Sequence, residues 1–328
     1  MGDVPAGTVV VDVHLGPDEL HAALERDARA GLTSAAKSLP AVWFYDERGS
    51  QLFDEITRLE EYYPTRTERS ILAQHATEIA AVAGCDVLVE LGSGTSEKTR
   101  LLLDAMTKVG LRRFVPFDVS EPTLRAAASE VAAAYPGLDV NAVVGDFHRH
   151  LDVIPRADRR LFAFLGGTIG NLNPAQRRRF LFDLEATFGP QDRFLLGVDL
   201  IKDRDRLVSA YDDGRGVTAA FNRNVLQVLN RELGANFDPQ AFQHVALWND
   251  KDNWIEMRLR AQGQQKVWID ALGLDVGFED GDELLTEISA KFTVEGVCAE
   301  LADSGLVVEQ RWTDPAEDFL LVLASPYC

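Results

Sequence analysis

Between residues 85 and 201 the chain alternates short, predominantly apolar runs with longer amphipathic stretches. The runs are Cys85–Leu91, Arg113–Asp118, Val140–Phe147, Arg160–Gly167 and Phe194–Ile201. Apolar runs of this length, bounded by turn residues and separated by helical stretches such as Arg100–Met106, predict buried strands of a parallel sheet in an α/β domain. Upstream, residues 17–38 predict a helix closed by Pro40, and Ser50–Arg58 and Thr65–Val82 predict two more, the last started by Pro64. Beyond Lys202 the pattern changes. Residues 204–233 are mostly helical in period, including Val217–Glu232. Period-two runs follow at His244–Trp248, Trp254–Ala261 and Lys266–Val276, joined by the turn-forming segments 249–253 and 262–264. Such a succession predicts an antiparallel meander. After Phe292 come a helix over Glu295–Ser304, a stop at Gly305, and strands over Leu306–Trp312 and Asp318–Ser325. Two strands joined by a short turn cannot both run parallel to the same sheet, so one is reversed. The expected organisation is an α/β domain over 66–201 completed by 292–328, with a second, α+β domain formed by 1–65 and 202–291.

The first run ends in Glu90 and turns through Gly92 and Gly94 into a helix. Strand, glycine turn and helix open a nucleotide-binding α/β unit, the glycines letting the backbone pass close to a ligand. The phosphate-binding version places a third glycine where this chain has Glu97, and a carboxylate there repels a pyrophosphate. A nucleoside cofactor without phosphates fits better, S-adenosylmethionine being the common one. Asp118 follows Gly94 by 24 residues, near the spacing of an acid that accepts ribose hydroxyls. Asp146 ends the third run, where it can accept the adenine amine while Phe147 packs on the ring. The fourth run ends in Gly166-Gly167. Each acid alone reads more readily as a surface cap for the next helix. Together they fall at the carboxyl strand ends where open α/β sheets bind ligands. A parallel sheet finished by one reversed strand is the architecture of the seven-stranded Rossmann-like methyltransferases.

Composition narrows the partners. The 328 residues carry 52 acids against 33 bases, a net charge of −19 that repels nucleic acid and anionic membranes. No apolar run approaches a membrane span. The opening Met1–Gly7 lacks a basic region followed by an apolar stretch and has alanine at position 6, so neither secretion signal nor myristoylation site is expected. Cys85, Cys298 and Cys328 are far apart and odd in number, which suits a reducing cytoplasm and gives no metal spacing. His148 and His150, flanking Arg149, read as exposed. The expected partners are small molecules acting on a monomer, with no metal.

Several segments carry a more specific resemblance. They are Val42-Trp-Phe-Tyr-Asp46, Leu52-Phe-Asp-Glu-Ile-Thr57, Glu61-Tyr-Tyr-Pro-Thr-Arg66, Glu90-Leu-Gly-Ser-Gly-Thr-Ser-Glu-Lys-Thr99, Phe117-Asp118, Gly145-Asp-Phe147, Gly170-Asn171, Tyr211-Asp212, Gly216-Val-Thr-Ala-Ala-Phe-Asn222 and Leu285-Thr-Glu-Ile-Ser289. On these the chain resembles the L-histidine Nα-methyltransferases of ergothioneine biosynthesis, which make hercynine. Two small-residue departures are visible. Gly167 stands where serine is expected, and Ala290 stands where cysteine is common.

The resemblance implies a seven-stranded S-adenosylmethionine-dependent methyltransferase with an inserted α+β substrate-binding domain. It implies that Gly92, Ser93, Gly94, Lys98, Asp118, Asp146 and Phe147 hold the methyl donor, with Lys98 pairing its carboxylate. It implies that Asn171 and Tyr211 bind the carboxylate and amine region of histidine, that Glu287 and Ser289 bind its imidazole, that Tyr45 and Tyr62 line the same pocket, and that Gly166 belongs to the substrate site. Tyr45 is the candidate for relaying the amine proton, and Met257 for packing on the ring. Plainer roles stay open: Lys98 as a solvated helix lysine, Asn171 as a cap before Pro174, Met257, Tyr45 and Tyr62 as core. The alternatives are a methyltransferase of the same fold acting on another small amine, and a binding protein that has lost turnover.

Overall fold

A computed structural model describes residues 8–157 and 159–327, so the expectations about Met1–Gly7 and Cys328 fall outside the described residues. In chain order the strands are β1 (Val9–Val13), β2 (Val87–Leu91), β3 (Arg113–Asp118), β4 (Asp139–Val144), β5 (Arg160–Phe164), β6 (Arg193–Asp199), β7 (Phe242–Asn249), β8 (Trp254–Ala261), β9 (Gln265–Ile269), β10 (Leu274–Phe278), β11 (Glu283–Ala290), β12 (Leu306–Thr313) and β13 (Phe319–Pro326). The helices are α1 (Pro17–Thr33), α2 (Glu47–Thr57), α3 (Tyr63–Ala83), α4 (Arg100–Met106), α5 (Glu121–Ala134), α6 (Pro174–Glu185), α7 (Arg204–Ser209), α8 (Val217–Leu233) and α9 (Val294–Asp303). The chain divides into two compact units. One takes residues up to Leu15, Pro64–Ile201 and Phe292 onward, and the other takes Gly16–Tyr63 and Lys202–Lys291.

The first unit is built on one sheet in the order β1-β4-β3-β2-β5-β6-β13-β12. Its strands are parallel except at β13, which runs antiparallel to both β6 and β12. Strands β2 and β5 are buried at every position, as expected where helices cover both faces. From β2 the chain winds outward through β3 to β4, then crosses to β5 on the other side of β2. The strand order therefore reverses between β2 and β5, and the carboxyl ends of those strands flank the crevice where such sheets bind ligands. The sheet holds one strand more than the seven expected. The extra strand is β1, paired in parallel with β4 from Val9↔Val140 to Val13↔Val144. Residues 8–15 thus join the α/β unit instead of the second one, in which 1–65 are expected from the sequence. A largely exposed five-residue edge strand carries too little apolar periodicity to announce its sheet.

The second unit packs α1, α2 and α8 with two small sheets around its own apolar cluster. Helix α1 stops at Thr33, short of the expected residue 38, because the chain folds back there: Ser38 N–H donates to the Gly31 carbonyl, and a Cβ on Gly31 would lie 1.8 Å from the Ser38 oxygen. Helix α2 starts three residues early because the Asp46 carboxylate caps it, accepting from Gly49 N–H at 2.7 Å. The run Lys266–Val276 is a hairpin, β9 with β10, turned through Gly273 in the left-handed region. It pairs separately, and β11 returns to flank β8, giving a three-stranded sheet ordered β11-β8-β7. The expected three-run meander is therefore split. Turn residues at 270–273 interrupt a run that hydropathy alone leaves continuous.

Candidate functional site

The glycine loop sits at the carboxyl end of β2. Gly92 and Gly94 have φ of 67° and 49°, which side chains with a Cβ rarely adopt, and the N–H groups of Gly92 and Ser93 both bond the Phe117 carbonyl at the end of β3. Asp118 lies beside them. Its carboxylate accepts from Gly94 N–H at 2.9 Å and from Ser120 N–H at 3.0 Å. Burial raises its pKa, and these backbone donors oppose the rise. Glu90, inside the strand end, accepts from Thr99 and is pushed up to about 7 by burial. The hydroxyl of Ser93 is buried with no hydrogen-bond partner among the described residues, while Ser96 stands beside Glu90 as a hydrogen-bonding neighbour that opposes the rise. An unsatisfied buried polar group at the loop costs stability unless a ligand meets it. The zwitterionic tail of S-adenosylmethionine supplies both donors and acceptors, so the loop fits that group. Glu97, whose charge argued against a pyrophosphate, is exposed.

Lys98 is not a solvated lysine. It pairs with Glu68, a fully buried carboxylate in α3 that also accepts from Gly166 N–H at 2.8 Å. A Cβ on Gly166 would come within 3.2 Å of Lys98 Nζ, and the φ of 81° there favours glycine independently. Gly167, where serine was expected, has φ 69°, a conformation glycine adopts without strain. Glu68 was missed in the sequence because it stands inside an ordinary helical stretch. Asp146 caps its own turn, accepting from His148 N–H at 2.8 Å, while Phe147 meets Phe164 and Phe180 edge-on at 5.3 and 5.4 Å. A hollow of about 420 Å³ opens beside Phe147, lined also by His148, Asn173, Gln176, Arg179 and Phe180. His148 is exposed, but His150, expected to be exposed too, is half-buried, its Nδ1 accepting from Asp146 N–H at 3.0 Å. Asn171 does not cap α6. Asn173 does, in a capping box with Gln176. Asn171 instead ends the short turn Thr168–Asn171, so the plain capping role falls away.

In the second unit the candidates converge on β11. Glu287 and Ser289 alternate along this strand, and Glu287 faces Met257 across β8. Between Leu285↔Arg258 and Glu287↔Met257 the register slips by one, leaving Thr286 as the extra residue of a β-bulge. The Thr286 hydroxyl donates to the Met257 carbonyl at 2.9 Å and lies 2.6 Å from Asn222 Oδ1. Asn222 continues to His244 Nδ1 at 2.8 Å, and His244 Nε2 to the Tyr211 carbonyl at 2.8 Å. Burial lowers the His244 pKa, which keeps the ring neutral and able to donate at one nitrogen and accept at the other. The motif asparagine thus ties the bulge to the backbone of Tyr211.

Glu287 has no hydrogen-bond partner among the described residues, and burial pushes its pKa up to about 7, Lys291 opposing the rise. Ser289 Oγ lies 2.7 Å from Tyr211 Oη, and Lys291 Nζ bonds both at 2.9 Å. Lys291 was missed in the sequence, since one lysine beyond a strand end gives no signal. Tyr62 is buried and meets Tyr211 edge-on at 6.0 Å. Tyr45 is half-buried, edge-on to Phe53 and Phe221 at 5.6 Å each. Phe53, itself edge-on to Tyr62 at 6.1 Å, and Phe221 complete the aromatic wall. Both lie in segments that carried the resemblance, but apolar side chains at helical spacing read as core. Met257 belongs to the apolar cluster of this unit, 2% exposed.

Among the described residues no group of three or more His, Cys, Asp or Glu is arranged to hold a metal, and no helix is long and apolar enough to cross a membrane. The chain is 60% identical over 312 residues, 95% of its length and 97% of the relative's, to the histidine N-alpha-methyltransferase of Mycolicibacterium smegmatis. It is 57% identical over 318 residues to the enzyme of the same name from Mycobacterium tuberculosis, covering 97% of this chain and 99% of that one. An S-adenosylmethionine-dependent methyltransferase from Clostridium acetobutylicum shares the fold at a TM-score of 0.51 and 11% identity, over 85% of this chain and 99% of its own. Residues 24–326 match the family described as histidine-specific methyltransferase, SAM-dependent, and the chain belongs to that family.

Proposed function

We propose that the protein transfers three methyl groups in succession from S-adenosylmethionine to the α-amino nitrogen of L-histidine, giving hercynine, the first step of ergothioneine biosynthesis. The observation that carries this reading is the identity of 60% over nearly the whole chain with a histidine N-alpha-methyltransferase. The donor supplies an activated methyl group bound to a sulfonium. Gly92, Ser93, Gly94, Lys98, Asp118, Asp146 and Phe147 are the residues proposed to hold it, with the Asp118 carboxylate accepting from the ribose hydroxyls.

The remaining work is positioning. The amine must present a lone pair in line with the departing sulfur, so most of the rate gain comes from orientation and exclusion of water. Glu287 accepts from one ring N–H and Ser289 serves the other nitrogen, which anchors the imidazole. Asn171 and Tyr211 are assigned to the amino-acid end, and Gly166 and Tyr62 to the rest of the substrate pocket. Tyr45, the least buried of the three pocket tyrosines, is the proposed relay for the amine proton. The growing quaternary ammonium loses its N–H donors, and the rings of Tyr45, Phe53, Tyr62 and Phe221 attract such a cation through their faces.

Mass spectrometry of histidine incubated with the protein and S-adenosylmethionine tests the reading. Three methyl groups, all on the α-nitrogen, are expected. Methyl groups on a ring nitrogen, or no change in mass, would overturn it.

A further inference from the structure

The triangle of Lys291, Tyr211 and Ser289 holds more donors than an ordinary pocket wall needs. All three are buried. Glu287, Ser289 and Lys291 follow one another at intervals of two along β11 and its extension, so their side chains share one face. An ammonium donates and never accepts, and a hydroxyl has one proton and two lone pairs. Lys291 therefore occupies one lone pair on each hydroxyl at 2.9 Å. The 2.7 Å contact between the hydroxyls takes one more proton. One hydroxyl proton is left to point elsewhere.

We propose that Lys291 is a positioning residue that sets the direction of the Tyr211–Ser289 hydrogen bond, so that Ser289 meets the substrate ring as a donor. A phenol is the stronger acid and the better donor, so Tyr211 gives its proton to Ser289. Ser289 Oγ then accepts from both Lys291 and Tyr211. Its lone pairs are filled, and its own proton must go outward. Glu287, two residues earlier, is the complementary acceptor. Together they describe a neutral imidazole held in a single tautomer, its N–H on the carboxylate and its bare nitrogen on the serine. Without Lys291 the serine regains a lone pair, can accept as readily as donate, and no longer distinguishes a bare ring nitrogen from a C–H or N–H. This inference rests on the proposed assignment of Glu287 and Ser289 to the imidazole.

The test uses the full chain, with histidine and a β-pyrrolylalanine that keeps the ring N–H but lacks the bare nitrogen. Lys291→Met should lower kcat/KM for histidine about ten-fold, chiefly through KM, and should narrow the preference for histidine over the pyrrole. Lys291→Arg, which keeps a cationic donor, should restore most of the preference. A Lys291→Met, Ser289→Ala double variant should be no more than about two-fold worse than Ser289→Ala alone, because residues acting through one contact are not additive. Where Lys291→Met fails to fold in a melting experiment, Tyr211→Phe, which removes the proton given to Ser289, should narrow the same preference. Additive losses, or an unchanged preference in the lysine and tyrosine variants, would overturn this inference alone. Absence of histidine methylation by the unaltered protein would overturn the reading of the site and this inference with it.

Discussion

The two units hold their polar groups in opposite ways. In the first, the candidate carboxylates stand at strand ends and are aimed by the main chain: Asp118 by the N–H groups of Gly94 and Ser120, Asp146 by that of His148. In the second, side chains aim one another. Lys291 orients Tyr211 and Ser289, and His244, Asn222 and Thr286 brace the bulge below Glu287. A group held by backbone can be deleted with local consequences, whereas a group held in a side-chain network takes its neighbours with it.

The largest effect is expected at the backbone-held acid. Asp118→Ala should weaken S-adenosylmethionine binding roughly 10²- to 10⁴-fold, since two charge-assisted hydrogen bonds to ribose are worth about 1.5–3 kcal/mol each. Asp118→Asn, which keeps one acceptor, should fall between. Calorimetric titration showing unchanged affinity in a folded Asp118→Ala protein would remove Asp118 from the cofactor site. Next comes Glu287→Ala. Leaving the imidazole N–H unpaired costs about 1–3 kcal/mol, or roughly five- to 150-fold in histidine affinity, with little change in donor affinity. If both ligands weakened equally, the division of labour between the units would be wrong.

The smallest effect is on stability and sharpens the comparison by pH. Burial raises the Glu287 pKa to about 7 in the fold, above its ordinary value of 4.5. The protonated form is the one the fold favours, so the stability it contributes is present below about pH 4.5 and lost as pH rises through 7. Glu287→Gln cannot ionise. Its melting temperature should therefore gain on the unaltered, ligand-free protein by on the order of a few degrees between pH 4.5 and 8. Glu90 titrates in the same range in both proteins and cancels in the difference. A gap that does not change with pH would mean that Glu287 is well solvated.

Much of the fold was legible along the chain because its signals are local. Each strand of the parallel sheet from β2 to β6 is a predominantly apolar run, and the shortness of the turn between β12 and β13 requires one of the two to be reversed, which the sheet shows to be β13. The loop glycines announce positive φ because little else adopts it. The resemblance named the candidate site residues, and the residues alone supplied reasons for the acids at strand ends.

Tertiary structure decided what depends on contacts between distant segments. That β1 belongs to the large sheet rests on pairing with β4, some 130 residues away. That Lys98 meets Glu68 rests on α3 being brought to the ends of β2 and β5. The bulge at Thr286, the brace through Asn222 and His244, and the Lys291 triangle are all contacts between residues that no periodicity relates. Hydrophobic period reports which way a residue faces within its own element. It cannot report which donor another element will set against it, and in the second unit such partners hold the Ser289 hydroxyl and brace the bulge beside Glu287.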